Sequence, residues 1–289
     1  MLLNLSQSAV DQFRIEWEES ACPLCGGTDH APHLEATDPL GGLRFLIVQC
    51  KRCGLAFTNP RPNLESASQF YPADYHCHQR RVRATHRRLP RYVARTLQPH
   101  GEARLLDFGC GSGGFLQRMH GLGWNVVGLD RAEAAVARVR DLGLDAHVGT
   151  LPHPLWSSEC FEAITMWQTL EHVLQPLEVL RAAYRLLTPG AKLIVAVPNF
   201  DGFAARWFGP QWFGLDLPRH LTHFTPETLQ RMLTKAGFGH VEMRQGRHSS
   251  WIRHSAQRGF LKSRLGSGLL GWWGYVTGGA EGLIAVAAK

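Results

Sequence analysis

Four cysteines of the 289-residue chain fall in two matched pairs, Cys22-Pro-Leu-Cys25-Gly and Cys50-Lys-Arg-Cys53-Gly, with 24 residues between the pairs. Each C-x-x-C turn aims two thiolates at one point, and two such turns complete a tetrahedral four-sulfur site with no open position. The chemistry expected there is structural metal binding, with zinc as the ion. A second constellation is Leu105-Leu-Asp107-Phe-Gly109-Cys110-Gly111-Ser-Gly113-Gly114-Phe115: an apolar run, a glycine-rich turn and a helical start. Such a turn brings backbone close to a ligand at the carboxyl end of a strand. Asp130 closes the next apolar run, 19 positions after Gly111, where a carboxylate accepts both hydroxyls of a ribose. Those two features alone also admit NAD. The turn, however, is not spaced as G-x-G-x-x-G, and Asp107 before it suits a cationic ligand better than a pyrophosphate. His172, His220 and His223 are the candidates for a base near neutral pH.

These groups need a scaffold that brings strand ends together. Apolar runs at 105–108, 126–129, 164–167 and 193–197 read as buried strands, separated by helix-spaced segments at 115–122, 132–142 and 176–187. Strand and helix alternation of this kind implies an α/β fold, a parallel sheet covered on both faces. Thr225-Pro226 marks a further helix start, followed by strands near 238–243 and 283–288. Residues 59–75 are rich in turn formers and read as a linker, then a basic helix with Leu89, Tyr92, Val93 and Leu97 on one face. His76, Cys77 and His78 read as solvated loop beside an already complete cysteine set.

Four segments now carry a resemblance, in the order and spacing in which they stand. LLDFGCGSGGF, GLD, Cys160-Phe-Glu-Ala-Ile-Thr-Met-Trp-Gln-Thr-Leu-Glu171-His172-Val and Leu187-Thr-Pro189-Gly190 resemble the motifs of class I S-adenosylmethionine-dependent methyltransferases. The LEHV segment is similar to that of ubiquinone-biosynthesis-type O-methyltransferases, and the chain as a whole looks type 11-12-like. The resemblance is tight over 103–199 and looser to the C-terminus. It implies a Rossmann-like seven-stranded sheet, S-adenosylmethionine as cofactor, and particular residues for it. Asp107 orients the methionine part, Gly109, Gly111 and Gly113 line it, and Asp130 holds the ribose. Trp167 sits beside the sulfonium, and the Leu151 backbone meets the adenine, because Thr150 stands where many members have an acid. Glu162 for the usual Asp and Ala191 for a Gly are further departures. The segment PRHLTHFTP resembles the acceptor-side insertion of bacterial methyltransferases that carry the same zinc knuckle pair, many associated with sugar, lipid or natural-product tailoring. Within that insertion, Trp207 is expected to pack and Trp212 to face a pocket.

The expected organisation is a zinc-ribbon-like module and linker (1–75), a basic linker helix (76–102) and a catalytic domain (103–289) with an insertion at about 200–226. The expected function is methyl transfer to an O, N or C nucleophile of a small molecule, glycan, sugar or lipid-linked intermediate. Two alternatives stand beside it: an RNA methyltransferase using the zinc module and basic stretches, and a non-catalytic scaffold. The net charge of +7 is local: residues 80–104 hold eight Arg and one acid, and residues 243–264 hold six basic residues and no acid. That pattern suits an anionic acceptor or solvated outer faces more than a nucleic-acid surface. Residues 265–280 carry no charge, but eight of the sixteen are Gly, Ser or Thr, so a membrane span is not expected. With no basic leader, the expected location is the cytoplasm, peripheral membrane contact remaining open.

Overall fold

The computed structural model describes residues 15–38, 42–71, 91–256 and 259–289. The N-terminal part contains β1 (Trp17–Glu18), β2 (His30–Thr37), β3 (Arg44–Cys50), β4 (Ala56–Thr58), β5 (Arg61–Pro62) and the single-turn helix α1 (Leu64–Ala67). Helix α2 (Arg91–Thr96) leads into β6 (Arg104–Phe108), α3 (Gly114–His120), β7 (Asn125–Asp130), α4 (Glu133–Asp141) and β8 (Asp145–Val148). Then come β9 (Phe161–Trp167), α5 (Pro176–Leu186), β10 (Leu187–Pro198), α6 (Phe203–Phe208) and β11 (Thr222–His223). The chain ends with α7 (Pro226–Ala236), β12 (His240–Gly246), α8 (Ser249–Ser255), α9 (Arg264–Val276) and β13 (Gly282–Ala288).

Seven strands form one sheet in the order β12-β13-β10-β9-β6-β7-β8. Neighbours from β10 to β8 pair in parallel, and β13 runs antiparallel between β10 and β12. Side chains alternate across it, as the two-residue period of a strand requires. Leu106, Ile164, Leu193 and Val195 join one core with Val179, Leu180, Leu229 and Leu233 of α5 and α7. Leu105, Ala163, Ile194 and Ala196 join a second with Val93, Leu116, Met119, Val136 and Val139 of α2, α3 and α4. Helix α7 starts as its residues dictate: Thr225 and Thr228 form a reciprocal capping box, with Pro226 at the first helical position.

A second sheet, β11-β4-β3-β2, takes its outer strand from the segment after β10. Thr222 pairs with Phe57 and His223 with Ala56, so the cysteine-bearing part is stitched to the insertion. A third core mixes Phe45, Ile47 and Ala56 with Trp212, Leu215, Leu217 and Ile252. The stretch from 59, rich in turn formers, contains β5 and α1, with β5 pairing β1. Most of the basic linker and Cys77 lie outside the described residues.

Candidate active site

Seven of the sequence-expected residues gather where β6, β7, β8 and β9 end. After β6 the backbone turns through Gly109 at φ +78°, and its N–H donates to the Leu129 carbonyl at 2.7 Å. A Cβ at Gly109 would sit 2.3 Å from Thr169 Oγ1, so the turn and the end of β9 touch backbone to side chain. Gly111 (φ +51°) and Gly113 (φ +77°) continue the curl into α3. Asp130 braces it: one carboxylate oxygen accepts from Gly111 N and the other from Ala132 N, both at 2.9 Å. Each oxygen keeps a further lone pair for a hydroxyl. Gly149 N–H donates to the Asp130 carbonyl at 2.8 Å, which lays the Leu151 segment beside Asp130.

Asp107 is buried in this crescent and accepts from Thr165 Oγ1 at 2.6 Å. Burial pushes its carboxyl up to about 7, against the Thr165 hydrogen bond and with the help of the Asp130 charge. A cation beside it would restore the carboxylate. The Trp167 ring lies 5.4 Å from Phe115, and its buried Nε1 has no hydrogen-bond partner among the described residues. An acidic floor, a ribose-competent carboxylate, a glycine cradle and an orphaned indole N–H fit S-adenosylmethionine.

Next to this crescent lies a buried polar cluster from three distant segments. The turn Leu170–His172 follows β9 and carries Glu171, fully buried, with neither carboxylate oxygen hydrogen-bonded among the described residues. His220 Nε2 stands 3.8 Å from Glu171 Oε1 and 3.8 Å from Asp216 Oδ2, while its Nδ1 is 2.9 Å from the Gly214 carbonyl. A carbonyl can only accept, so Nδ1 holds the proton and Nε2 presents its lone pair to the cluster. His172 packs edge-on to His220 at 4.6 Å, its Nδ1 3.0 Å from the Tyr71 hydroxyl and 3.1 Å from the Arg219 carbonyl. Arg219 grips Asp216 through both its Nε and a terminal nitrogen, and reaches the Phe70 carbonyl at 3.2 Å.

Electrostatics follow from this enclosure. Burial raises the Glu171 carboxyl to about 8, opposed by the pull of its own backbone amide and reinforced by the Asp216 charge. Burial also pushes Asp216 upward, but the Arg219 hydrogen bonds and nearby histidines outweigh it and hold Asp216 below the usual carboxylate range. Burial lowers His220, with Asp216 pulling the other way, and lowers His172 to about 3, with the His220 charge adding to it. His223 faces elsewhere. Its Nε2 lies 3.1 Å from Thr58 Oγ1, which itself donates to the His220 carbonyl at 3.0 Å, so His223 donates to Thr58. Burial lowers His223 to about 3 as well.

These directions set an acid limit on folding. A histidine whose folded pKa is about 3 against an ordinary 6.5 contributes stability that is present above 6.5 and lost as pH falls below it. At pH 5, His172 and His223 should each cost about 2 kcal/mol relative to neutral pH. Thermal melts across pH 7 to 5 are therefore expected to show a steep drop in Tm, smaller in His223→Gln. An unchanged Tm over that range would contradict the buried neutral imidazoles.

The four cysteines converge too. Cys22 and Cys53 Sγ are 3.4 Å apart, Cys25 and Cys50 Sγ 3.5 Å, and all four lie within 4.8 Å of one another. A disulfide would require about 2.05 Å. Four sulfurs around a zinc ion at about 2.3 Å sit roughly 3.8 Å apart, which this cage approaches. Burial pushes the Cys22 thiol up and Cys53 to about 11, while backbone and thiol hydrogen bonds hold Cys25 near 7 against its burial. A cation offsets the charge that burial disfavours.

Two expectations need correction. Trp212 is only 2 % exposed and packs in the third core against Trp251, whereas Trp207 is 63 % exposed. Helix α6 buries Ala204 and Ala205 and so turns Trp207 outward. Glu171, Asp216, Arg219 and Tyr71 were not anticipated as site residues. The signal was present for Glu171, the acid adjoining His172 in an otherwise apolar LEHV, but Tyr71 and Asp216 are joined to it only by the fold.

The profile of a methyltransferase domain family matches residues 78–242, more than half of the chain. The chain is 35% identical over 143 residues to the ubiquinone biosynthesis O-methyltransferase of Xanthomonas oryzae pv. oryzae (strain PXO99A), covering 46% of this chain and 59% of that protein. It is 33% identical over 157 residues to the ubiquinone biosynthesis O-methyltransferase of Cereibacter sphaeroides (strain ATCC 17025 / ATH 2.4.3), covering 50% and 63%. The chain thus spans under two thirds of the length of these relatives. The structure of a SAM dependent methyltransferase from Archaeoglobus fulgidus superposes with a TM-score of 0.54 at 19% identity, over 73% of this chain and 96% of that one. At that identity the likeness is one of fold, and the fold is the Rossmann-like sheet described above. With the profile match and the motifs at the ends of β6, β7 and β9, the chain belongs to the class I S-adenosylmethionine-dependent methyltransferase family.

Proposed function

We propose that the chain transfers a methyl group from S-adenosylmethionine to a hydroxyl of a compact acceptor. The observation that carries this reading is the enclosed Glu171–His172–Asp216–His220 cluster, set directly beyond the donor crescent. S-adenosylmethionine supplies an electrophilic methyl carbon on a sulfonium. Asp107, Gly109, Gly111, Gly113, Asp130, Leu151 and Trp167 would hold it. The chain's own work is alignment and proton removal. Alignment of two reactants can supply roughly 7–11 kcal/mol of the barrier.

His220 is the base in this reading. Its Nδ1–H is anchored on the Gly214 carbonyl, leaving Nε2 to take the acceptor proton. Asp216, kept ionised by Arg219, stands 3.8 Å from that nitrogen and offsets the imidazolium charge. Glu171 is protonated at neutral pH, so it can donate a hydrogen bond to the acceptor without repelling it. His172, tethered to Tyr71 and Arg219, positions the His220 ring, and His223 positions the segment through Thr58. Enclosure favours a small nucleophile over a base in a folded nucleic acid. The relatives named above are O-methyltransferases of ubiquinone biosynthesis, which supports an oxygen nucleophile as acceptor. We further propose that Cys22, Cys25, Cys50 and Cys53 hold a structural zinc ion, in a module that frames the acceptor side.

Calorimetric titration with S-adenosylhomocysteine tests the donor half. Saturable binding is expected. Gly109→Ala should weaken it by about tenfold to a hundredfold, since a left-handed φ and the clash with Thr169 together strain the turn by about 1–3 kcal/mol. No binding to the unmodified chain would end the methyltransferase reading.

A further inference from the structure

Helix α9 is built inside out. Its inward face is made of Gly266, Ser267, Gly271 and Gly274, all buried, while Leu265, Leu269, Trp272, Trp273 and Val276 are exposed. At the 3.6-residue period, those five lie on one apolar stripe. The small residues let the helix lie close on α8: a Cβ at Gly271 would meet Ile252 and Ser249 at 3.5 Å, and Arg253 donates to Ser267 Oγ at 3.2 Å. Trp272 and Trp273 are each 53 % exposed, and Phe260 and Tyr275 add to the surface. A soluble helix normally does the reverse, and a contiguous exposed patch of this kind marks a docking surface. Helix α9 has 13 residues, too short for a bilayer core of about 30 Å, and no helix among the described residues is long and apolar enough to cross a membrane.

We propose that α9 lies in the headgroup layer of an anionic membrane, its Trp272–Trp273 stripe inserted and its flank held by charge. The sequence from Met243 to Ala280 contains six Lys and Arg and no acidic residue, and Lys262 and Arg264 stand exposed at the start of the helix. An apolar stripe with two tryptophans and a basic flank is the composition of an interfacial helix. Charge also selects among occupants. A second copy docked on this face would bring the same basic flank, Lys262 and Arg264 included, against itself, whereas an anionic lipid surface complements it.

The placement has a catalytic meaning, which rests on the acceptor site proposed above. Helix α9 packs on α8, and α8 holds the acceptor loop: Ser255 Oγ accepts from Phe213 N at 2.8 Å, and the rings of His254 and Phe213 lie 4.8 Å apart. That loop runs on to Asp216, Arg219 and His220. Membrane docking therefore sets the acceptor loop one helix away from the lipid surface, on the side from which a hydrophobic, membrane-dissolved acceptor would arrive.

Sedimentation with vesicles tests the docking without any methyl transfer. The full chain should pellet with vesicles of phosphatidylcholine and phosphatidylglycerol in equal parts, far less with phosphatidylcholine alone, and its tryptophan emission should shift to the blue. Trp272→Ala/Trp273→Ala should weaken binding by about tenfold or more, and Lys262→Glu/Arg264→Glu should do likewise at low salt while sparing S-adenosylhomocysteine binding. All four side chains are exposed, so the variants should melt as the parent does. Absence of pelleting, equal binding by the Trp variant, or a stable dimer that the Trp variant dissociates would each overturn the proposal. Vesicle binding by a chain that fails to bind S-adenosylhomocysteine would uphold the docking surface and defeat only the catalytic reading.

Discussion

Replacing His220 by Ala is expected to lower the methyl-transfer rate by about 10²–10⁴-fold, the span of a lost general base, with S-adenosylhomocysteine affinity retained. The residue sits in the acceptor cluster and not in the Asp107–Gly113 crescent, so the two readouts separate. Transfer of tritiated methyl from S-adenosylmethionine to a panel of phenols and catechols, at several pH values, measures the first. Truncation also leaves a cavity, and the isosteric Glu171→Gln variant guards against a folding artefact. Glu171 has a folded pKa of about 8 against an ordinary 4.5. A group raised in this way contributes stability that is fully present below 4.5 and lost as pH rises toward 8, so at pH 7 the buried acid costs the fold about 3 kcal/mol. Glu171→Gln is thus expected to raise Tm at pH 7 and flatten its pH dependence from 5 to 8, while slowing transfer. A site residue that destabilises the fold is the usual mark of function taking precedence over stability. A His220→Ala enzyme at full rate would remove the base assignment. A Glu171→Gln protein that melts lower would show the carboxyl to be satisfied in a way the cluster geometry does not contain.

Removing the metal is expected to have the largest effect on stability. The purified chain should carry one equivalent of zinc, and chelation or Cys22→Ser should collapse the N-terminal sheet. Binding energies of structural zinc, about 10–16 kcal/mol in zinc-finger peptides, rival the entire stability of a domain. The effect should spread because the module is wired to the acceptor side. Arg231 donates to the Cys53 carbonyl at 3.2 Å and Lys235 to the Leu24 carbonyl at 2.7 Å, tying both knuckles to α7. Thr58 on β4 holds the His220 carbonyl, and β11 pairs with β4. Loss of methyl transfer should accordingly precede loss of S-adenosylhomocysteine binding during chelation. Zinc content below one equivalent, together with a Tm indifferent to chelator, would contradict the cage.

The donor crescent was legible because it is local. Strand, glycine turn and helix follow one another within eleven residues, and Asp130 closes the adjacent strand, so spacing alone predicts their meeting. The same holds for the two C-x-x-C turns, each a single turn long, and for the Thr225–Pro226 helix start. The histidines were legible only as residue types. His220 and His223 are three apart in one short segment, yet β11 turns His223 to Thr58 while His220 meets Glu171. Trp207 and Trp212 were transposed for a related reason: an aromatic in an irregular insertion carries no period that reveals its inward side.

By itself, then, the sequence determined the alternating α/β order, the donor turn and the cysteine pairs, all set by steric and spacing rules that act within a few residues. Only the tertiary structure decided which histidine meets an acid, that Tyr71 and Asp216 share that pocket, and which face of α9 looks outward. The physical reason is long-range packing. A helix with a glycine face and a tryptophan face shows the same periodicity whichever side is buried, and a cluster drawn from residues 71, 171, 216 and 220 exists only once the segment after α1, the turn after β9 and the loop before β11 have been brought together.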